Sequence, residues 1–321
     1  MDKHTPLSPA TLPSTSEIGA RKASWLARLF GHGSLSTGPV LLDELFRESK
    51  LNQFQLGRET ETGHRIALDL AWSRRHLLLV GPNGKGAAVA QDHLAAQHLV
   101  RGGGLLVLDS TPNMHSPRLL AAVASACGRA DFKHYQADRT HPATAIDVGN
   151  LVSHAGAAYV TLQPYASQSE AKRTVETIVN LLLPAARFTS EAGKPPKPFM
   201  VIVPDLGWLL TDAWRPLLEC ARTYGILLVL RLQNLAELKN FSLPVADSVL
   251  NCGTKLFLQP NTPAAVEDAA QLITLSGDSE KVAETRSDLA ALSLGQALLC
   301  REGTVEKLSL RMVSVGGKSS G

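Results

Sequence analysis

Short apolar runs alternate with helical patterns along most of the chain, and this alternation restricts the fold more than any other feature of the sequence. Several runs, such as 76–80 (HLLLV) and 226–230 (ILLVL), are almost continuously apolar, which is typical of parallel strands covered on both faces. Alternating strands and helices predict a doubly wound α/β sheet. The predicted strands are 65–70, 76–80, 104–109, 199–203, 226–230, 254–258 and 296–300. The predicted helices are 87–101, 116–127, 167–187, 212–223 and 263–274.

Composition places the chain among ordinary globular proteins. Its 321 residues are 44% hydrophobic and 19% charged, enough for one large or two modest domains. A net charge of +3 and 5% aromatic residues give no argument for nucleic-acid binding on their own. The four cysteines are far apart, so we expect reduced thiols and no metal site. Because we find neither a membrane-spanning stretch nor a signal peptide, we expect a cytoplasmic protein.

The two ends of the chain differ from its body. Residues 1–18 are rich in Pro, Ser and Thr and are expected to be disordered. Residues 20–31 form a basic amphipathic pattern, which predicts a short helix that contacts an anionic membrane or a partner; packing on its own domain is an equal alternative. We therefore divide the chain into a tail with a short helix (1–40), a main domain (41–312) and a flexible tail (313–321).

A strand, a glycine-rich loop and a helical pattern follow one another in HLLLVGPNGKGAAVAQDHL. Such a loop binds phosphate because its backbone amides and the helix dipole face the anion. The pattern GxxxxGK[ST] also requires a lysine and a hydroxyl, and this chain has Ala87 and Ala88 there. Losing one charge-assisted hydrogen bond weakens binding about 10- to 150-fold, and the hydroxyl helps to hold magnesium. The candidate phosphate-binding residues are Gly81, Pro82, Asn83, Gly84, Lys85, Gly86, Ala87 and Ala88.

Two further features decide whether such a loop can act. Lys85 lies two positions before the missing lysine and could serve only by reaching back to a phosphate. The apolar strand at 199–203 is followed by Pro204 and Asp205, where an ATPase of this kind has Asp-Glu. Pro204 has no side-chain oxygen for a magnesium-bound water, and Asp205 is one methylene shorter than the water-activating Glu. The glycine loop and the strand that ends at Asp205 both keep the framework of a nucleotide site, but they lack its reactive side-chain atoms. This indicates one abandoned active site.

The order of these motifs resembles the conjugative coupling-protein ATPases of type IV secretion systems, the TraD/TraG-like branch of the FtsK/HerA group. The resemblance covers roughly 55–312 and rests on LGRETETGHRIALDLAWSRRHLLLVGPNGKG, GGGLLVLDSTPN and PDLGWLL…LLECARTYGILLVLRLQNLAEL. It implies a mostly parallel, doubly wound sheet of the P-loop NTPase (RecA-like) type with a small β element before the loop. Only about 90 residues separate Asp109 from the strand at 199, so we do not expect the all-helical domain inserted in larger members.

The resemblance also assigns roles to residues outside the loop. Arg222 corresponds to the arginine finger offered to a neighbouring subunit's nucleotide, Gln233 to a γ-phosphate sensor, and Asp205 to the catalytic acid. From the residues alone, Arg222 could equally cap a helix or form a surface ion pair, and Gln233 could satisfy local backbone. His76 and the pair Arg74-Arg75 are interpreted as ordinary flanks of the loop strand.

We therefore predict a degenerate, non-hydrolysing component of a type IV secretion or conjugative transfer system. Its partners would be subunits of that apparatus in a homo- or hetero-oligomeric ring, with DNA and a peripheral contact at the inner membrane through 20–31 as further candidates. ATP with Mg²⁺ is expected only if the loop still binds nucleotide. The alternative is an active ATP-driven DNA or protein translocase that uses Lys85 and Asp205, and a third reading is a module that encircles duplex DNA by backbone contacts.

Overall fold

The computed structural model describes residues 39–69, 76–111, 114–137, 146–162, 167–191, 198–274 and 278–315. The predictions for residues 1–38, including the helix at 20–31, and for Arg74 and Arg75 concern parts of the chain outside this range. Within the described ranges, no helix is both long and apolar enough to cross a membrane.

The described residues form one large sheet of eleven strands and one separate pair of short strands. Every residue of Leu77–Val80 and of Phe199–Val203 is buried, because helices cover both faces of these strands. The strands are β1 (Val40–Leu41), β2 (Gln53–Glu59), β3 (Arg65–Asp69), β4 (Leu77–Val80), β5 (Gly104–Asp109), β6 (Phe132–Ala137), β7 (Ala157–Leu162), β8 (Phe199–Val203), β9 (Ile226–Leu232), β10 (Thr254–Leu258), β11 (Gln296–Arg301), β12 (Thr304–Leu310) and β13 (Val313–Ser314).

The strand order of the large sheet is β3-β2-β12-β11-β10-β4-β9-β8-β5-β7-β6. From β10 to β6 all neighbours are parallel, and from β10 to β3 they are antiparallel. The prediction of a mostly parallel sheet is confirmed. Because β9 lies between β4 and β8, the carboxyl ends of these three strands meet at one edge, where ligands bind in open α/β sheets.

Helices cover both faces of the sheet, so the prediction of a doubly wound fold is confirmed. Alternate residues of β4 enter different cores: Leu77 and Leu79 pack with α1, α2 and α3 on one face, and Leu78 and Val80 belong to the core of the opposite face. The helices are α1 (Leu42–Ser49), α2 (Ala87–Val100), α3 (His115–Ala126), α4 (Val148–Ser153), α5 (Gln168–Glu191), α6 (Leu206–Leu209), α7 (Arg215–Cys220), α8 (Leu243–Leu250), α9 (Pro263–Thr274) and α10 (Ser279–Ala290).

The small β element before the loop is the antiparallel pair β2–β3, which joins the sheet through β12. The main difference from the sequence prediction lies between Asp109 and Phe199. There β6 and β7, which are absent from the predicted strands, extend the parallel sheet. The described residues in this stretch contain no separate helical domain. The predicted helix 212–223 is a short helix, Arg215–Cys220, between two 3₁₀ turns. The separate parallel pair β1–β13 joins Val40–Leu41 to Val313–Ser314.

Candidate functional site

The loop between β4 and α2 has the backbone shape of a phosphate-binding loop. The Gly81 N–H donates to the Leu232 carbonyl at 3.0 Å, and a Cβ at Gly81 would lie 2.6 Å from the Cβ of Leu258. Gly84 and Gly86 have φ angles of 80° and 110°, in the left-handed region where glycine carries no steric penalty. Gly86 is the residue before α2. The spacing of the glycines is therefore a requirement of this turn.

The positively charged side chain of the loop points away from the strand ends that carry the acids. Lys85 Nζ donates to Gln259 Oε1 at 2.7 Å, and Gln259 directly follows β10. Since β10 and β9 flank β4 on opposite sides, this ammonium lies on the far side of the loop from Asp205. Ala87 is buried and Ala88 is exposed, and their methyl groups offer a phosphate neither charge nor hydrogen bond.

A cation from another strand occupies the space between the loop and Asp205. Arg231, in β9, is 4% exposed. Its Nε and Nη2 donate to the Gly81 carbonyl at 3.2 and 2.8 Å, and its Nη1 donates to Asn83 Oδ1 at 2.8 Å and to the Pro204 carbonyl at 3.1 Å. One buried guanidinium thus ties the phosphate loop to the end of β8.

Asp205 lies beside this arginine at the end of β8. Ser110 Oγ donates to its Oδ2 at 3.4 Å, and the side chain of Gln233 is also hydrogen-bonded to it. Burial raises the pKa of Asp205, while the Arg231 charge and the hydrogen bonds from Gln233 and Ser110 oppose that rise. The structure therefore brings Asp205 and Gln233 close to the loop.

A second carboxyl group, Asp109 at the end of β5, is held by its own neighbours. Its Oδ1 accepts from the Thr111 N–H at 2.8 Å and from Thr111 Oγ1 at 2.6 Å, and its Oδ2 accepts from the Tyr159 hydroxyl. Burial raises the pKa of Asp109, and the hydrogen bonds from Thr111 and Tyr159 oppose that rise. Arg231 contributes a weaker attraction, so this guanidinium acts on both carboxyl groups.

Arg222 lies near the amino end of β9, at the opposite end of the strands from the loop and Asp205. It belongs to the 3₁₀ turn that precedes the amino end of β9, whereas the loop and Asp205 lie at the carboxyl ends. Its side chain is exposed and forms neither a hydrogen bond nor an ion pair with the described residues. A role for Arg222 at a nucleotide therefore requires the nucleotide of another subunit.

His76 is a structural residue, as the sequence interpretation proposed. The Leu228 N–H donates to its Nδ1 at 3.2 Å, and its Nε2 lies 3.2 Å from the Leu218 carbonyl, to which it donates. Burial lowers the pKa of His76 to about 4, helped by the charge of Arg222. The neutral imidazole with its proton on Nε2 thus joins β9 to the helical segment before it.

A cavity of about 460 Å³ opens beside the loop and continues between α2 and α3. Ser116 Oγ donates to Asp92 Oδ2 at 3.0 Å and is also hydrogen-bonded to Tyr159. Burial raises the pKa of Asp92 to about 7. The polar side chains that line this cavity include Gln91, Asp92, Asp109, Ser116, Tyr159 and Arg231.

Sequence reasoning did not single out Arg231, Asp92 or Gln91. Arg231 had a signal, because it is the one charged residue in the strand ILLVLRL and a charge inside a buried strand must find partners. Asp92 and Gln91 also had one, because they are polar residues in a helix whose other positions are mostly Ala, Val and Leu. Their common location follows only from the packing of segments distant in sequence.

The residues of this site do not fit a magnesium nucleotide well. The backbone of the loop suits a phosphate, but neither lysine nor hydroxyl follows Gly86. Magnesium requires oxygen ligands, and Pro204 offers only its carbonyl, which already accepts from Arg231. Among the described residues, no group of three or more His, Cys, Asp or Glu side chains is arranged to hold a metal ion.

The sheet order, the glycine loop after β4 and the acid after the nearby β8 define the fold of the P-loop NTPases. Among solved structures, the bacterial conjugative coupling protein TrwB shares this fold. Its unbound form, TrwBdeltaN70, aligns with a TM-score of 0.59 and 13% identity over 87% of this chain and 95% of that chain. Its complex with ADP and Mg²⁺ aligns with a TM-score of 0.58 and 13% identity over 86% and 93%.

A more distant structure has the same architecture. The genome packaging NTPase B204 from Sulfolobus turreted icosahedral virus 2, in complex with sulfate, aligns with a TM-score of 0.50 and 12% identity over 75% of this chain and 98% of that chain. No protein-family model and no curated protein matches the chain. The predicted resemblance to conjugative coupling proteins is thus confirmed at the level of the fold.

Proposed function

We propose that this protein is a non-hydrolysing, motor-fold subunit of a type IV secretion or conjugative transfer apparatus, and that it acts by assembling with partner subunits. The proposal rests on the buried guanidinium of Arg231. It links the start of the loop to the carbonyl of Pro204, the position at which a hydrolysing enzyme of this kind has a metal-binding acid. The chain thus holds the start of the loop with its own cation.

Several side-chain groups that ATP hydrolysis requires are missing, each at a different position. Ala87 and Ala88 remove the charge and the hydroxyl that act on the phosphates, and Pro204 removes a metal-binding carboxylate. Phosphoryl transfer depends almost entirely on charge stabilisation and alignment, so these losses together should abolish turnover. The likeness of the fold to TrwB, which has been solved with ADP and Mg²⁺, supports the choice of apparatus.

The alternative of an active translocase requires Lys85 to act on a phosphate. Its Nζ is engaged by Gln259 at 2.7 Å, on the β10 side of the loop. Using it for catalysis would mean breaking this hydrogen bond and moving the ammonium across β4. We therefore place the active translocase second. The partner subunits, the ring and any contact with DNA remain predictions from the sequence.

The test is ATP turnover and nucleotide binding by the purified full-length chain, with and without Mg²⁺. We expect no magnesium-dependent turnover above a blank without protein. Lys85→Ala should leave both measurements unchanged, as should Lys133→Ala, a matched change of an exposed lysine on β6. Magnesium-dependent hydrolysis that Lys85→Ala abolishes and Lys133→Ala preserves would overturn the proposal and establish the translocase.

A further inference from the structure

The arm formed by β1 and α1 (residues 40–49) packs on the domain through buried charges. Only two of its apolar side chains, Val40 and Leu45, are buried. Glu48, on the same inner face, is 2% exposed and meets His93 of α2 and Arg311, the residue after β12. By contrast, α5 buries alanine, valine, isoleucine, leucine and one threonine. The arm therefore gains less from apolar burial than α5 does.

Arg311 joins the arm to the end of β12. Its Nη1 and Nη2 donate to the two carboxylate oxygens of Glu44 at 2.7 and 2.8 Å, and its Nη1 also donates to Glu48 Oε1 at 3.4 Å. Arg311 and Glu48 are both buried, so each loses its hydration when the arm docks. The attraction between buried charges offsets that loss only when their remaining hydrogen bonds are complete.

The hydrogen bonds of this contact are incomplete. His93 is 1% exposed, and neither of its ring nitrogens forms a hydrogen bond with the described residues. Its Nε2 lies 3.8 Å from Glu48 Oε2, too far for one. Among the described residues, eight buried side-chain polar atoms have no hydrogen-bond partner, and six of them lie in this contact or beside it: Glu48 Oε2, Gln55 Oε1, His93 Nδ1, His93 Nε2, Arg101 Nε and Arg311 Nε. Burying each of these atoms without a partner costs free energy, which is recovered when water reaches it.

The arm can leave without disturbing the large sheet. β1 pairs with β13 in a separate two-stranded sheet, where the Val40 N–H donates to the Met312 carbonyl at 2.7 Å. At the other end of the arm, Arg101 Nη2 donates to the Glu48 carbonyl at 3.1 Å. Neither bond belongs to the eleven-stranded sheet. Because elements with little buried apolar surface open before the rest of a protein, the charged contact marks the arm as an element that opens.

We propose that the arm detaches and docks as one unit while the rest of the domain stays folded. It connects residues 1–38, which include the sequence predicted to contact a membrane or a partner, to the body of the protein. A partner that binds this segment acts on the arm before it acts on the sheet. On α2, His93 faces the arm and the preceding Asp92 lines the cavity beside the loop, so docking of the arm reaches the helix that follows the loop. The proposal does not depend on whether the chain binds nucleotide.

The test is hydrogen exchange of the full-length protein, measured by mass spectrometry at pH 7.5 in a series of urea concentrations below the unfolding transition. The hydrogen-bonded amides of α1 should exchange at least about 100-fold faster than those of β4 and β9, because their opening does not require global unfolding. Their exchange should depend little on urea, since detachment exposes little surface. The amides of α2 should stay protected. Exchange of α1 with the rate and urea dependence of β4 and β9 would overturn the proposal, as would α1 amides without any protection.

Two variants of the contact should change the exchange of α1 in opposite directions. Arg311→Met breaks the buried pairs and should speed the exchange of α1 at least about 10-fold. The double variant Glu48→Met, His93→Leu removes three of the unpartnered atoms and keeps the pair of Arg311 with Glu44. Because apolar side chains then replace incompletely bonded polar ones, it should slow the exchange of α1 about 10-fold.

The matched control is Arg301→Met, which removes an arginine that pairs with Glu306 at 2.9 Å and donates to the Ala67 carbonyl, away from the arm. It should leave the exchange of α1 unchanged even if it destabilises the sheet, because detachment of the arm breaks neither bond. Equal acceleration by Arg301→Met and Arg311→Met, or an exchange of α1 that neither contact variant changes, would contradict the proposal. The urea series on the unmodified protein decides the question if a variant folds poorly.

Discussion

Arg231 donates two hydrogen bonds to the single carbonyl oxygen of Gly81, from Nε at 3.2 Å and from Nη2 at 2.8 Å. Arg231 lies at the carboxyl end of β9 and Gly81 is the first residue of the phosphate loop, so the contact joins two neighbouring strands at the edge where a nucleotide would bind. The same guanidinium reaches the carbonyl of Pro204. In this protein the loop is held by its own cation.

Arg231→Met should therefore destabilise the protein strongly. The change keeps most of the side-chain volume, but it removes four hydrogen bonds to Gly81, Asn83 and Pro204 and the positive charge that acts on Asp205 and Asp109. Leaving a buried acceptor without its donor costs about 1–3 kcal/mol. The free energy of unfolding, measured by urea denaturation at pH 7.5, should fall by that amount.

The matched control is Arg222→Met, which removes an exposed arginine at the opposite edge of the sheet. Exposed positions without partners usually change stability by about 0.5 kcal/mol or less, so this variant should unfold like the unmodified protein. Equal unfolding midpoints for the two variants would show that Arg231 does not hold the loop.

His76 should make the fold sensitive to acid. Its pKa is about 4 in the folded protein against the ordinary 6.5, so the unfolded chain binds a proton first as the pH falls. Stability attributable to His76 is complete above pH 6.5 and is lost towards pH 4, by about 3 kcal/mol. His98, with its pKa also lowered by burial to about 4, acts in the same direction. His76→Gln should reduce the slope of unfolding free energy against pH between 6.5 and 4.

The control for His76 is the exposed His64, whose replacement His64→Gln should leave that slope unchanged. The comparison concerns the slope, since losing the contacts of His76 lowers stability at every pH. A slope in His76→Gln equal to that of His64→Gln would mean that the imidazole is not buried as a neutral group.

Asp92 should act in the opposite direction. Burial raises its pKa from 3.8 to about 7, so the folded protein keeps a proton that the unfolded chain has lost. Its contribution is therefore present below pH 4 and is lost as the pH rises to 7, by about 4 kcal/mol at most. The charge of Asp109 raises the pKa of Asp92 further, and Arg231 lines the same cavity. Asp92→Asn, which cannot ionise, should gain stability relative to the unmodified protein as the pH rises from 4 to 8.

Asp288→Asn, a change of an exposed aspartate on α10, is the control for Asp92. Its stability relative to the unmodified protein should be nearly constant across the same pH range. If Asp92→Asn behaves in the same way, then the Asp92 carboxyl is hydrated in solution and the cavity is open to water.

The sequence predicts the framework of this site better than its chemistry. The glycines at 81, 84 and 86 can be recognised in the sequence, because the local geometry of such a turn requires them whatever the rest of the fold is. Asp205 and Gln233 can be recognised in the sequence as candidate site residues, because each comes shortly after an apolar strand. Arg231 differs, because its partners Gly81 and Pro204 are distant in sequence and meet it only when β9 inserts between β4 and β8. That insertion is a property of the whole sheet.

The strand β7 shows a second limit. Its sequence AAYVTL has small residues at its start and a hydroxyl near its end, so no strong pattern separates it from a loop. All six residues are buried, because β5 and β6 pair with it on both sides and helices cover the faces of the sheet. Because the sequence analysis did not predict this strand, it also did not identify Tyr159. The Tyr159 hydroxyl donates to Asp109, and both residues line the cavity.

Arg222 is exposed, lies at the edge of the sheet opposite to the loop and forms no ion pair with the described residues, so an arginine finger here could reach only a nucleotide on another subunit. Mixed with the catalytically intact coupling ATPase of its own system, the protein should stimulate ATP turnover. Arg222→Ala should remove that stimulation without preventing binding, since fingers supplied in trans raise turnover by about 10³-fold or more.

The control for Arg222 is Arg215→Ala, because Arg215 is also exposed, lies on the adjoining helix α7 and pairs with Glu219 at 2.8 Å. Both variants should bind the intact ATPase as the unmodified protein does in a pull-down at equal concentrations. Only Arg222→Ala should then lower the turnover. Because Arg222 and the loop lie at opposite ends of the strands in one subunit, a chain with a silent loop could still offer a working finger. An unchanged rate with Arg222→Ala would leave Arg222 without a role in catalysis, even if the two proteins assemble.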